Sequence, residues 1–118
     1  MAKGYEAHQE RLAEIGRLGK ELGRRAGFAC EWCGAKEELR PVDTAPERPV
    51  ELEALLLLCR RCRDLYGGAS EPPERLRHLE GALWSGEPVV ARSAARLLRR
   101  LGAAWAEEVI EQAGIDLD

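Results

Sequence analysis

Cys30-Glu31-Trp32-Cys33-Gly34 and Leu55-Leu56-Leu57-Leu58-Cys59-Arg60-Arg61-Cys62 decide how this chain folds. These four cysteines are the only ones in 118 residues. A C-x-x-C pair puts two sulfurs on one tight turn, and two such turns brought together supply the tetrahedral thiolate set that Zn²⁺ accepts. Gly34 fits, because the residue after the second sulfur is often driven to φ > 0, which glycine adopts without steric cost. The second pair has no such glycine. The apolar run before it and Arg63-Asp64-Leu65-Tyr66 after it predict a strand entering that turn and a helical turn leaving it. Cys30, Cys33, Cys59 and Cys62 are therefore the candidate metal ligands, for one Zn²⁺ per chain. Two disulfides would need an oxidising compartment, and adjacent C-x-x-C pairs are poor staples for a fold. A thioredoxin-like redox pair would open a long helix inside a βαβ pattern, which neither pair does. Iron, alone or in an iron-sulfur cluster, uses the same ligand type and stays open.

The formal charge is −3, and four thiolates around one Zn²⁺ add about two more negative charges. Such an acidic chain is a poor nonspecific nucleic-acid binder. No targeting segment or membrane-crossing run is visible, and cysteines kept for metal fit a reducing compartment, so a cytoplasmic protein is expected.

Around the cysteines the pattern predicts an α+β, helix-rich chain in three parts. The first, residues 1–27, is an amphipathic helix from Tyr5 to Ala26 with Leu12, Ile15, Leu18 and Leu22 on its apolar face, and Gly27 as its stop. Gly16, Gly19 and Gly23 each cost it about 1 kcal/mol relative to Ala, so it is expected to break near the middle and to depend on packing, against this chain or a second copy. The second part, residues 28–66, is a small zinc-ribbon or treble-clef-like β module. Phe28-Ala29 leads into the first turn as strand, residues 39–43 form an edge strand because of Pro41, and residues 55–59 form another. So small a sheet cannot bury enough apolar surface alone, which gives the metal a large share of the folding free energy.

The third part, residues 67–118, is helical. After the turn-rich linker 66–73, Ser70 is placed to cap a helix with Leu76, Leu79, Leu83 and Trp84 inside. Pro88 opens the best amphipathic helix, carrying Val89, Val90, Ala94, Leu97, Leu98 and Leu101, which ends at Gly102. A last helix, 103–113, turns Trp105, Val109, Ile110 and Ala113 to one side and closes at Gly114, ahead of a docked tail, residues 115–118. Trp84 and Trp105 read as core residues and Trp32 as the more exposed one.

Three stretches taken together resemble the bacterial PhnA-like family, named for protein A of the alkylphosphonate-utilisation operon. They are Cys30-Glu31-Trp32-Cys33-Gly34-Ala35, then Leu57-Leu58-Cys59-Arg60-Arg61-Cys62, and then Leu83-Trp84-Ser85 with Pro88 and residues 94–101. Trp105-Ala106 and the acidic-apolar helix after it extend the likeness to Leu117. The resemblance implies a zinc-ribbon-like metal module and carries the ligand role onto Cys30, Cys33, Cys59 and Cys62. Where that family usually has a second tryptophan this chain has Ala95, and the all-β module that often follows is not present in this sequence. The name records gene position, so no phosphonate-cleaving residue is carried over.

A four-sulfur site is coordinatively closed, which leaves no position for substrate or water. The expectation is thus a noncatalytic zinc protein acting through a protein partner or as a homodimer, with no catalytic residues assigned. One alternative is a nucleic-acid-binding zinc ribbon, from Arg60, Arg61 and Arg63 at the second turn and Arg92, Arg96, Arg99 and Arg100 on the long helix. Another is a degenerate HNH-type nuclease. Such enzymes place histidines on the strand after the first turn, where this chain has Arg40-Pro41-Val42-Asp43-Thr44, and its two histidines, His8 and His78, lie elsewhere.

Overall fold

The computed structural model describes residues 2–117. Two helices open the chain, α1 (Ala2–Arg17) and α2 (Gly19–Ala26), and the expected break falls at Leu18, between Gly16 and Gly19. A two-stranded antiparallel sheet follows, β1 (Arg40–Asp43) and β2 (Leu55–Leu58), with Arg40 opposite Leu58 and Asp43 opposite Leu55. Then come α3 (Arg60–Tyr66), a 3₁₀ segment (Pro73–Leu79), α4 (Glu80–Leu83), α5 (Pro88–Arg100) and α6 (Ala104–Gln112). The chain is therefore helix-rich with one small sheet. Among the described residues no helix is long and apolar enough to cross a membrane.

All four leucines of β2 are buried, because the strand is covered on both faces. Leu56 and Leu58 join the main core with Leu65, Leu76, Leu83 and Leu98, whereas Leu55 and Leu57 meet Leu22 of α2, with Ile15 and Leu18 packed beside them. A continuous apolar run rather than an alternating one is what a two-sided strand requires. Three of the four apolar residues predicted for the first helix thus dock within this chain. Leu12, the fourth, is exposed.

Glycine ends α2 as expected. Gly27 takes φ 66° and donates to Arg24 O while Phe28 N–H reaches Gly23 O, which satisfies two carbonyls of the last turn. Gly102 and Gly114 close α5 and α6 by the same pair of bonds. The motif also overturns the strand expected at Phe28-Ala29: Phe28 itself is left-handed at φ 55°, with its ring laid over Gly23. Gly34, after Cys33, has φ 84°.

The tryptophans reverse their predicted places. Trp32 is 3% exposed and Trp84 is 54% exposed, while Trp105 is half-buried with its indole N–H donating to Pro73 O at 3.0 Å. The cause lies in residues 73–79, which wind as a 3₁₀ segment and not as the α-helix that Ser70 was to cap; the preceding residue is Pro72 and no side chain caps it. Leu76 and Leu79, three apart in the 3₁₀ segment, and Ala82 and Leu83 of α4 lie inside, and Trp84, just past the end of α4, is turned outward. Ile115 and Leu117 pack against the core. Asp118, the end of the tail, and Met1 lie outside the described residues.

Candidate metal centre

The first sulfur pair sits on a knuckle closed by two backbone bonds, Cys30 N–H to Ala35 O at 2.7 Å and Gly34 N–H to Cys30 O at 2.9 Å. Glu31, inside the knuckle, docks it on β2: its N–H donates to Leu57 O, and its Oε1 accepts Leu57 N–H, both at 2.8 Å. The second pair straddles the end of β2 and the start of α3. Cys59 is the extended residue before the helix, and Cys62 lies in the first turn, where helical spacing points both sulfurs the same way.

These placements bring Cys30, Cys33, Cys59 and Cys62 together, with all four Sγ atoms within 4.8 Å of one another. Cys33 and Cys59 are 3.6 Å apart, well beyond the ~2.05 Å of a disulfide. Metal–sulfur bonds of about 2.3 Å in a tetrahedron set S···S edges of about 3.8 Å, and the Cys33–Cys59 separation is close to one such edge. Cys30, Cys59 and Cys62 are buried and Cys33 partly so. Among the described residues no other group of three or more His, Cys, Asp or Glu side chains converges in this way, and His8 and His78 are both exposed.

The thiols hold their protons unequally. The Cys62 thiol donates to Cys30, which lowers Cys30 to about 4 and raises Cys62 well above the ordinary thiol range. Burial, chiefly, pushes Cys33 up to about 11. A soft cation entering the cluster therefore displaces protons from Cys33 and Cys62.

Several supporting residues were invisible in the sequence. Arg25, on the last turn of α2, places Nη2 at 2.6 Å and Nε at 3.0 Å from the Glu31 carboxylate, and also donates to Leu52 O and Leu55 O. It thereby ties α2, the knuckle and the entry to β2 in one place. Arg63 donates to Leu58 O and Glu38 O, and Arg100 to Leu65 O and Ala69 O at the end of α3. The Trp32 indole donates to Ser93 Oγ of α5 at 3.1 Å. No periodicity rule announces such pairings, since each joins different segments of the fold.

The segment where a nuclease would keep its histidines is occupied structurally. Asp43 accepts from Arg11 Nε at 2.7 Å and from Ala45 N–H, and that guanidinium holds its carboxyl below the usual range. Thr44 Oγ1 donates to Ala54 O at 2.7 Å. Compared with known proteins, the chain matches no family model, no curated protein and no solved structure.

Proposed function

We propose that Cys30, Cys33, Cys59 and Cys62 hold one Zn²⁺ as a structural centre in a noncatalytic, cytoplasmic protein of the PhnA-like kind that acts through a protein partner. The observation that carries the reading is the convergence of four mostly buried sulfurs, all within 4.8 Å of one another, a ligand set that suits tetrahedral Zn²⁺. The order of parts supports a treble-clef-like module: a cysteine knuckle, a β-hairpin, and a helix that begins at the second cysteine pair. Zinc bound there supplies a cross-link without redox chemistry, tying the knuckle to the start of α3. With all four positions filled by sulfur, no site for water or substrate remains on the ion.

The nucleic-acid reading loses support from the arginines themselves. Arg61 pairs with Glu71, Arg99 with Glu107, and Arg63 and Arg100 are spent on backbone carbonyls. Protein purified without chelator should carry one equivalent of zinc by elemental analysis, and cobalt exchanged into it should give the absorption bands of tetrahedral thiolate coordination. Iron in the analysis, or less than half an equivalent of any metal, refutes the proposal.

A further inference from the structure

A cleft of about 600 Å³ lies between α5 and the connection that joins β1 to β2. That is within the range of pockets that take ligands, which run from about 300 to 1,000 Å³. Its floor is apolar, from Ala54, Leu65 and Leu97, and its two walls carry opposite charge. Along α5 stand Arg92, Arg96 and Arg100, one helical turn apart. The facing wall presents Glu47, Glu51 and Glu53, interrupted by Arg48. Arg92 and Arg96, and the three glutamate side chains, make no hydrogen bond or ion pair among the described residues. Tyr66 stands between the walls. Burial, most of all, raises its phenol above the ordinary range, with Asp43 and Glu47 adding to that and Arg96 opposing it, so it faces both walls as a neutral donor.

Unpaired charges of both signs across one groove select against a simple anion. A phosphate drawn to Arg92 and Arg96 meets three carboxylates opposite, and like charges brought close cost binding energy. An extended peptide meets the condition instead, because successive side chains point to opposite edges. The spacing agrees as well: helical residues four apart advance about 6 Å, and alternate residues of a strand advance about 6.6 Å. Acidic side chains on one edge can therefore follow Arg92 and Arg96 while basic ones on the other edge meet the glutamates. We propose that this cleft takes an extended segment of a partner protein in which acidic and basic residues alternate. The inference rests on the reading of the chain as a partner-binding protein, and names the surface and the chemistry of that partner.

The test uses the full metal-loaded chain, isotope-labelled, titrated with a capped octapeptide of alternating Glu and Lys, with a block peptide of the same composition, and with an oligothymidylate. The alternating peptide should shift the amide signals of residues 44–54 and 88–100, and bind at least about tenfold more tightly than the block peptide, which has the same net charge but the wrong order. The double variant Arg92→Glu with Arg96→Glu should lose the same factor while keeping its metal content and circular dichroism. Equal binding of the two peptides, tighter binding of the oligonucleotide at this cleft, or no shifts with any probe overturns the inference. So does a cellular partner whose copurification survives the double variant, although the partner reading itself would then stand. Metal analysis of the same sample judges the zinc reading separately.

Discussion

Replacing Arg25 by alanine removes one member of an ion pair whose side chains are only 10% and 5% exposed, the other being Glu31. The guanidinium makes four bonds: two to the Glu31 carboxylate, one to Leu52 O and one to Leu55 O. Breaking a buried pair from one side costs about 3 to 5 kcal/mol, because the remaining charge is left without its partner. The two carbonyls also lose a donor, and small domains hold only about 5 to 15 kcal/mol in all. Arg25→Ala should therefore lower the unfolding free energy of the metal-loaded chain by about 3 kcal/mol or more. Glu31 Oε1 also accepts Leu57 N–H at 2.8 Å, so Glu31→Gln should be milder than Arg25→Ala, since an amide oxygen can keep that bond. In the double variant the two costs should fall well short of their sum, with a coupling of about 1 to 3 kcal/mol. Denaturant titration at a fixed saturating metal concentration reads all three. A cost below about 1 kcal/mol for Arg25→Ala, or strictly additive costs, would refute the argument and make the pair incidental to folding.

The tryptophans give a second set. Trp32→Ala should cost about 3 to 5 kcal/mol and half-buried Trp105→Ala about 2 to 3, while Trp84→Ala should change stability by no more than about 0.5; equal effects at Trp32 and Trp84 in thermal unfolding would contradict their burial. Loading the metal-free chain at pH 7 should release at least two protons per metal, those of Cys33 and Cys62, as read with an indicator dye in weak buffer. The sign follows from their raised pKa values: these thiols are protonated at neutral pH, so metal affinity rises with pH and is lost on acidification, and a pH-independent affinity would count against the assignment. Gly102→Ala, at φ 74°, should destabilise by about 1 to 2 kcal/mol, whereas a neutral result would mean that α5 does not end in a left-handed residue. Deleting residues 1–26 should uncover Leu55 and Leu57 and cause aggregation, so a soluble truncated chain of unchanged heat stability would show that the N-terminal helices are dispensable.

The parts of the fold that were legible are those whose cause is local. Cysteine spacing located the cluster, the leucine run before Cys59 located β2 and α3, and three glycines located the ends of α2, α5 and α6. The failures share another cause. Trp84 departs from the 3.6-residue pattern because residues 73–79 wind at three residues per turn and α4 ends at Leu83, one residue before it. Trp32 looked exposed because its C-x-x-C turn was pictured alone, whereas α5 closes over it and Ser93 takes its indole N–H. Arg25 and Glu31 are six residues apart across the left-handed turn at Gly27 and Phe28, and no strand or helix repeat brings such residues together. The two charge-bearing walls of the cleft were half legible. The arginine spacing on α5 is written in the sequence, but the glutamates that face it lie on an irregular connection.

Four identical residues in a two-sided strand leave its alignment undefined by hydrophobicity. Sliding β2 by one position exchanges the faces seen by Leu55, Leu56, Leu57 and Leu58, yet leucine still meets both layers, so the usual penalty that fixes register in a half-buried strand is missing. Something other than greasiness has to tell this strand where to stop. The candidates are all polar and all discrete: the reciprocal bonds between Glu31 and Leu57, the Thr44 hydroxyl on Ala54 O, and Cys59, whose sulfur reaches the cluster only in the observed alignment. With a metal bound, the cysteine cluster adds an index mark to its fastening, and a metal-free chain is expected to keep its leucines buried while holding their alignment against Arg40–Asp43 only through Glu31 and Thr44.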